Sequence, residues 1–374
     1  MTRREGSITQ RSKGSWQARY YGPPDANGRQ KQVNETVTGT KKEAERVLRE
    51  RLATIENGGY VAKHKETVKG FLLGWLETYA ATNVTLRTLH GYRGYVKRYL
   101  DPTIGAIPLQ SLTVRHIQAV YAGMLDKGLS NTTVVQVHRI LRESLKHAVK
   151  WGVLTRNVAD AASPPRIQRK QMDMWDVETV CRFMENAKES RFGDLYSLAI
   201  LTGLRRSELC GLRWQQVDLV RGSVSVVGTL QRITGYGLVE GQPKTARSRR
   251  SIALSPQATD VLHCIRGQQI EQQLEAGPVW QNTDYVFTGT DGSPIAPDMI
   301  SKDFCALVRK YGLPHLTFHA HATLLLTSGV HAKVVSERLG HSNIGITMDT
   351  YSHVLPGLQE QAALALDERL SKGR

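Results

Sequence analysis

Leu201-Thr202-Gly203-Leu204-Arg205-Arg206-Ser207-Glu208-Leu209 is the stretch on which the reading of this chain turns. Alone, it is an arginine at the start of a helix, with a glutamate three residues on. Three more segments follow it: Gln242-Pro243-Lys244-Thr245-Ala246-Arg247, Leu339-Gly340-His341 and Thr350-Tyr351-Ser352-His353-Val354. Singly, each has an ordinary explanation: Lys244 as a solvated turn lysine, His341 as a cap, and Tyr351 as a core tyrosine whose ring is buried like most. Their order and spacing along the chain ask for a common explanation.

The charge distribution supplies the context. The chain has 374 residues and a formal net charge of +16, and its length favours two or three domains. Lys and Arg exceed Asp and Glu by 7 over residues 1–65 and by 9 over 66–170, and the two balance over 171–374. Charge added only for solubility has no reason to stop at a domain boundary. The pattern therefore reads as a basic grip on a polyanion, nucleic acid first, joined to a neutral working domain. Cys181, Cys210, Cys264 and Cys305 form no C-x-x-C pair, so neither a disulfide framework nor a zinc site is expected, and a reducing cytosol fits. No apolar stretch approaches the roughly 20 residues of a membrane span, and the N-terminus leads into polar residues. A soluble, unprocessed, cytoplasmic protein is the expectation.

Local patterns predict an α+β chain, mainly α. Ile8, Trp16, Ala18 and Tyr20 alternate with polar neighbours, break at Gly22-Pro23-Pro24-Asp25-Ala26-Asn27-Gly28 and resume through Val33 and Val37, which reads as strands around a turn. Thr40 and Glu43 form a capping box, predicting a helix over about 41–56. From Thr67 to Gly152 the apolar residues recur at helical spacing, as in Val114, Ile117, Val120, Tyr121 and Leu125. Four or five short helices are expected there, with Thr113 and Ser130 as N-caps and Gly128 and Gly152 as C-caps. Arg87, Arg93, Lys97, Arg98, Arg139, Arg142, Lys146 and Lys150 fall mostly between the apolar positions, so one face is suited to phosphates. Pro164-Pro165, followed by Arg166, Arg169 and Lys170, marks a basic linker. Beyond it, helices surround one short β region: Ser223–Gly228, a Gly-rich stretch at Gly235 and Gly237, then Ser251–Leu254.

Taken together, the four segments resemble the catalytic domain of the tyrosine recombinases, the phage integrase family. The Thr-Gly-Leu-Arg-x-Ser-Glu-Leu run is similar to the family's first arginine box, which makes Arg205 the matching catalytic arginine, supported by Glu208. Pro-Lys-Thr, followed by Ser248-Arg249-Arg250, resembles the β-hairpin that carries the catalytic lysine, here Lys244. Leu-Gly-His matches the last histidine box, His341, and Tyr351 falls ten residues later, where the family carries its nucleophile. The resemblance implies an arm-type DNA-binding domain at 1–62, a helical core-binding domain at 66–160 and a catalytic domain at 171–374. It also implies core and arm sites on duplex DNA, a homotetramer on that DNA, a possible DNA-bending accessory protein and no cofactor. The chemistry explains the set. A phenol attacks a phosphodiester, giving a 3′-phosphotyrosyl bond and a free 5′-hydroxyl, so bond energy is conserved without ATP. Guanidinium forks stabilise the charge gathered on phosphorus without an obligatory metal, and a lysine or histidine protonates the departing oxygen.

One family element is missing. Between the lysine hairpin and the Leu-Gly-His box the family normally reads His-Asp-Leu-Arg-His, whose arginine is the second phosphate clamp. Here Leu316-Thr317-Phe318-His319 runs directly into Ala320-His321-Ala322-Thr323-Leu324-Leu325-Leu326. Both flanks fit, about four residues are absent, and His319 matches either histidine of the motif. Four residues of α-helix turn the remainder by only about 40° and shorten it by about 6 Å, so folding should survive with strain where the helix begins. Two functions are open: an integrase that cuts and rejoins DNA, and a catalytically impaired protein that binds and synapses DNA. A terminal helix around Leu355–Leu370, with Leu358, Ala362, Ala365, Leu366 and Leu370 on one face, is expected to pack on a neighbouring protomer or at home.

Overall fold

The computed structural model describes residues 6–24, 28–56, 65–168, 175–241, 249–314 and 320–351, with Asp367, Leu370 and Ser371. The terminal helix predicted near Leu355–Leu370 lies almost wholly outside the described residues. The chain divides into two compact units, Met1–Arg169 and Lys170–Arg374.

The first unit begins with an antiparallel sheet, β1 (Ser7–Ser12), β2 (Ser15–Pro24) and β3 (Gln30–Thr38), in the order β1-β2-β3. Helix α1 (Lys41–Glu56) starts at the predicted capping box: Glu43 accepts from the Thr40 amide at 2.7 Å, and Thr40 Oγ1 accepts from the Glu43 amide. Ala18 and Tyr20 of β2 are buried with Leu48 of α1. Side chains alternate across a strand, so Gln17, Arg19 and Tyr21 lie on the opposite, open face, in register with Thr36, Asn34 and Gln32 of β3. Gln17 Oε1 accepts from both Arg11 and Arg19, at 2.6–3.3 Å.

Four helical stretches follow. Val68–Trp75 runs on to Asn83, and Leu86–Tyr95 runs on to Ile104. Then come α4 (Val114–Asp126) and α5 (Asn131–Lys150), with α2 and α3 naming the Val68 and Leu86 helices. Thr113 and Ser130 cap α4 and α5 through their side chains, and Gly128 and Gly152 take the left-handed conformation after them. The four stretches share one core that includes Trp75, Leu100, Ile117, Ile140, Leu141 and Leu145. Arg139, Arg142, Lys146 and Lys150 of α5 line a groove of about 840 Å³, together with Tyr79, Tyr92 and His138.

The second unit packs α6 (Val177–Ala187), α7 (Gly193–Thr202), α8 (Arg206–Cys210), α9 (Pro256–Ala276) and α10 (Pro297–Lys310) around a shared core. Its strands are β4 (Val217–Asp218), β5 (Ser223–Val226), β6 (Thr229–Ile233), β7 (Gly237–Gly241) and β8 (Arg250–Ala253). They form a sheet in the order β4-β5-β8 and a separate β6-β7 hairpin. The hairpin is more regular than the Gly-rich stretch predicted, because Gly235 lies in its turn and Gly237 opens β7, both at positive φ, while Leu230 and Ile233 are buried. The helix after the missing segment, α11 (Ala320–Thr327), is formed. Ala320 joins the main core, and Ala322 and Leu326 pack with Val335 and Leu339 of α12 (Ala332–Leu339). Helix α13 (Ile344–Tyr351) ends the continuous description. Among the described residues no helix is long and apolar enough to cross a membrane.

Gly203 closes α7 at φ +70°, and a Cβ there would lie 2.5 Å from His321 Cδ2 and 3.0 Å from Leu339 Cδ2. Both the left-handed backbone and the close approach of α11 require glycine. Gly203→Ala is expected to destabilise the second unit by about 1–3 kcal/mol in urea unfolding; an unchanged midpoint would remove this constraint.

Candidate active site

The αL turn at Gly203 ends α7 and delivers Arg205 to the start of α8. Glu208, one turn into α8, accepts from the Arg205 amide at 2.9 Å, so one carboxylate oxygen satisfies an orphan helix donor. The other accepts from Arg205 Nη1 at 2.9 Å. Arg250, the first residue of β8, donates Nη1 and Nη2 to the two oxygens of Glu208, at 3.1 and 2.9 Å. The Glu208 side chain is 2% exposed and that of Arg250 7%, while that of Arg205 is 43% exposed. Burial opposes ionisation of Glu208, but hydrogen bonds and charge from Arg250 and Arg205 outweigh it and hold the carboxyl below its usual range.

The arginines also reach α12 through backbone carbonyls. Arg250 Nε donates to Arg338 O at 2.6 Å, and Arg205 Nη2 donates to Gly340 O at 3.0 Å. Gly340 follows α12 at φ +65°, where a Cβ would come within 2.9 Å of Arg250 Nη1, so only glycine lets the guanidinium in. Arg338 itself turns the other way. It donates Nε to His321 Nε2 at 3.0 Å and Nη2 to Leu201 O at 3.3 Å, and His321 Nδ1 lies 2.7 Å from Ile200 O. Arginine only donates, so His321 Nε2 accepts and the proton sits on Nδ1. Burial, assisted by the Arg338 charge and opposed by the Ile200 bond, pushes the His321 pKa down to about 4.

Two guanidiniums therefore bind one carboxylate, while a third, Arg338, meets a neutral histidine instead. His341 stands immediately after Gly340, its Nδ1 2.8 Å from Thr347 Oγ1. Tyr351 is the last residue of α13, one helical turn beyond Thr347. Lys244 and His319 lie outside the described residues. The strand leading toward Lys244 is anchored: Glu240 of β7 accepts from Arg213 Nη2 at 2.7 Å and from the Tyr285 hydroxyl at 2.6 Å, and the Arg213 guanidinium lies 4.4 Å from the Tyr285 ring centre. Among the described residues no cluster of His, Cys, Asp or Glu is arranged to hold a metal ion.

Sequence reasoning gave roles to Arg205, Glu208 and His341 but none to Arg250, Arg338 or His321. A signal existed for Arg250. It shares a strand face with Ile252, which is 1% exposed, and it pairs with Val226; an arginine in a core-facing row implies a buried carboxylate.

His321 titrates below its ordinary value of 6.5, so it favours the fold above pH 6.5, and that contribution is lost as pH falls toward 4. Between those values the protein is expected to lose about 3 kcal/mol more stability than His321→Gln, whose amide bonds both partners without titrating. Parallel pH–stability curves, measured by urea unfolding, would show that the histidine does not titrate in this way.

Residues 170–357 match the phage integrase family and residues 67–125 the N-terminal SAM-like domain of phage integrases. A tyrosine recombinase XerC-like protein of Caldanaerobacter subterraneus subsp. tengcongensis is 29% identical over 351 residues, covering 88% of this chain and 90% of that one. An integrase of Saccharopolyspora erythraea is 26% identical, covering 86% and 88%. Among solved structures, the Tn1549 transposon integrase in complex with a circular intermediate DNA superposes with a TM-score of 0.68 at 22% identity, covering 82% of this chain and 99% of that one. A lambda integrase tetramer bound to a Holliday junction gives 0.57 at 15%, covering 92% and 94%; both agree with the mainly helical fold and its short sheets. With residues 170–357, half of the chain, matched and relatives along most of its length, the chain belongs to the phage integrase family, the tyrosine recombinases that cut and rejoin DNA.

Proposed function

We propose that this chain is a site-specific integrase acting on mobile-element or phage DNA, with Arg205, Lys244, His319, His341 and Tyr351 as its catalytic residues. The observation that carries the assignment is the unbalanced charge around Glu208. Arg205 and Arg250 bring two positive charges to one carboxylate, and Arg205, the more open of the two, is presented to solvent. A phosphodiester supplies the anion that such a site lacks. In this reading Tyr351 attacks phosphorus, Arg205 and His341 stabilise the oxygens that gather charge, and Lys244 or His319 protonates the departing 5′-oxygen. The product is a 3′-phosphotyrosyl link that a 5′-hydroxyl later reverses.

Duplex binding falls to the first half of the chain. The open face of the β1-β2-β3 sheet, with Arg11, Gln17, Arg19 and Asn34, has the donors and acceptors that read base edges in a major groove. It supports reading residues 1–62 as an arm-type domain. The α5 groove, with four basic side chains and two tyrosines, supports reading residues 66–160 as the core-binding domain, with 171–374 as the catalytic one. Four protomers on two DNA sites, aided by a DNA-bending protein and working in the cytoplasm of the host cell, complete the reading.

The absent His-Asp-Leu-Arg-His element favours a second reading, in which the chain binds and pairs DNA but cleaves it slowly or not at all. Loss of one clamp on transition-state charge lowers rates by roughly 10²–10³. A nicked suicide substrate built on a core site recovered by binding selection separates the two. The enzyme traps covalent DNA, Tyr351→Phe abolishes the adduct, and inserting Asp-Leu-Arg-His between His319 and Ala320 raises its rate by roughly 10²–10³. An unmodified chain that already cleaves as fast as the insertion variant would show that the missing arginine is not needed. Arg19→Glu is expected to weaken arm-site binding at least tenfold and flatten its salt dependence, read by fluorescence anisotropy; core-site binding should be untouched.

A further inference from the structure

Thr347 is fully buried, at 0% exposure, on the same helix as Tyr351 and one turn before it. Its hydroxyl lies 2.8 Å from His341 Nδ1. A buried threonine in a helix usually turns its hydroxyl back to the carbonyl four residues earlier, as Thr350 does to Ile346 O at 2.6 Å. Thr347 instead meets the imidazole.

We propose that Thr347 is a positioning residue that sets the tautomer of His341, donating its hydroxyl proton to Nδ1 so that the ring carries its own proton on Nε2. The argument rests on the reading of His341 as a phosphate partner. A phosphate oxygen only accepts, so the nitrogen that serves it must be protonated, and a neutral imidazole has a single N–H. With that N–H on Nε2, Nδ1 is a lone pair and needs a donor. Thr347 supplies one from the helix that also carries the nucleophile. A hydroxyl can also reverse its role and accept from Nδ1–H if the ring takes a second proton, which a methyl group cannot do. The nearby His321 shows the opposite case: Arg338 donates to its Nε2 and forces the proton onto Nδ1. The unit would thus hold two histidines in opposite tautomers, each selected by its neighbour, and only His341 would present an Nε2 proton.

The test is the ¹⁵N spectrum of the imidazole-labelled full chain at pH 8, with His341 assigned by its loss in His341→Gln. The expected result is a protonated Nε2 and an unprotonated Nδ1 for His341, kept in Thr347→Ser and replaced by an averaged mixture of tautomers in the isosteric Thr347→Val. Circular dichroism confirms that each variant is folded, and Thr347→Ala takes the place of Thr347→Val if the latter is not. A proton on Nδ1 in the parent, or the parent spectrum persisting in Thr347→Val, overturns the proposal. Core-site duplex is then added to the parent, and the Nε2 resonance of His341 is expected to move. The predicted tautomer with no response to bound duplex would overturn the phosphate reading of His341 while leaving Thr347 as the residue that orients the ring.

Discussion

A carboxylate that is 2% exposed would ordinarily neutralise itself by taking a proton, since desolvating an isolated charge costs several kcal/mol. Glu208 stays ionised because four donors from two arginines and a backbone amide converge on its two oxygens. The dependence runs both ways. Without that negative charge, Arg205 and Arg250 would face one another with Arg338 close behind, and like charges in a partly dry interior repel strongly. Arg250, in turn, is the tie between β8 and the end of α12, and Arg205 between the start of α8 and Gly340. One buried anion thus holds a strand and two helices in the positions from which the histidine and tyrosine segments continue.

The helix after the missing segment shows how fold and chemistry come apart. Helix α11 seats Ala320, Ala322 and Leu326 in apolar surroundings, and His321 within it ties α7 to α12. Nothing in that packing needs an arginine at its start. The core is satisfied by shape and apolar area, which a loss of about one turn nearly preserves, whereas the second phosphate clamp is a single side chain with no counterpart in this sequence. The packing of α11 is therefore independent of whether such a clamp is present.

What was legible in the sequence was what depends on neighbours a few residues apart. Thr40 with Glu43, Thr113, Ser130, Gly128 and Gly152 do at the helix ends what capping chemistry requires, and the alternation of Ala18 and Tyr20 put the right face of β2 against α1. The segments that resemble the family's catalytic boxes were recognisable by their order. The partnerships that build the site were not, because Arg250 meets a glutamate 42 residues earlier and His321 an arginine 17 residues later, on elements whose approach depends on the whole core. The β6-β7 hairpin was missed for a local reason: its glycines lie in the turn and at the strand end, where they dilute the alternation that marks strands.

The shared acceptor at Gln17 has a consequence for how the sheet would read DNA. One amide oxygen binds both Arg11 and Arg19, so the two guanidiniums are gathered at a single point rather than spread along the open face. A base edge or phosphate that captures one must compete with Gln17 and, in doing so, leaves the shared oxygen wholly to the other. Were the sheet to contact DNA through this pair, the energies of the two contacts would be coupled rather than additive, the capture of one guanidinium making the other harder to draw away from Gln17.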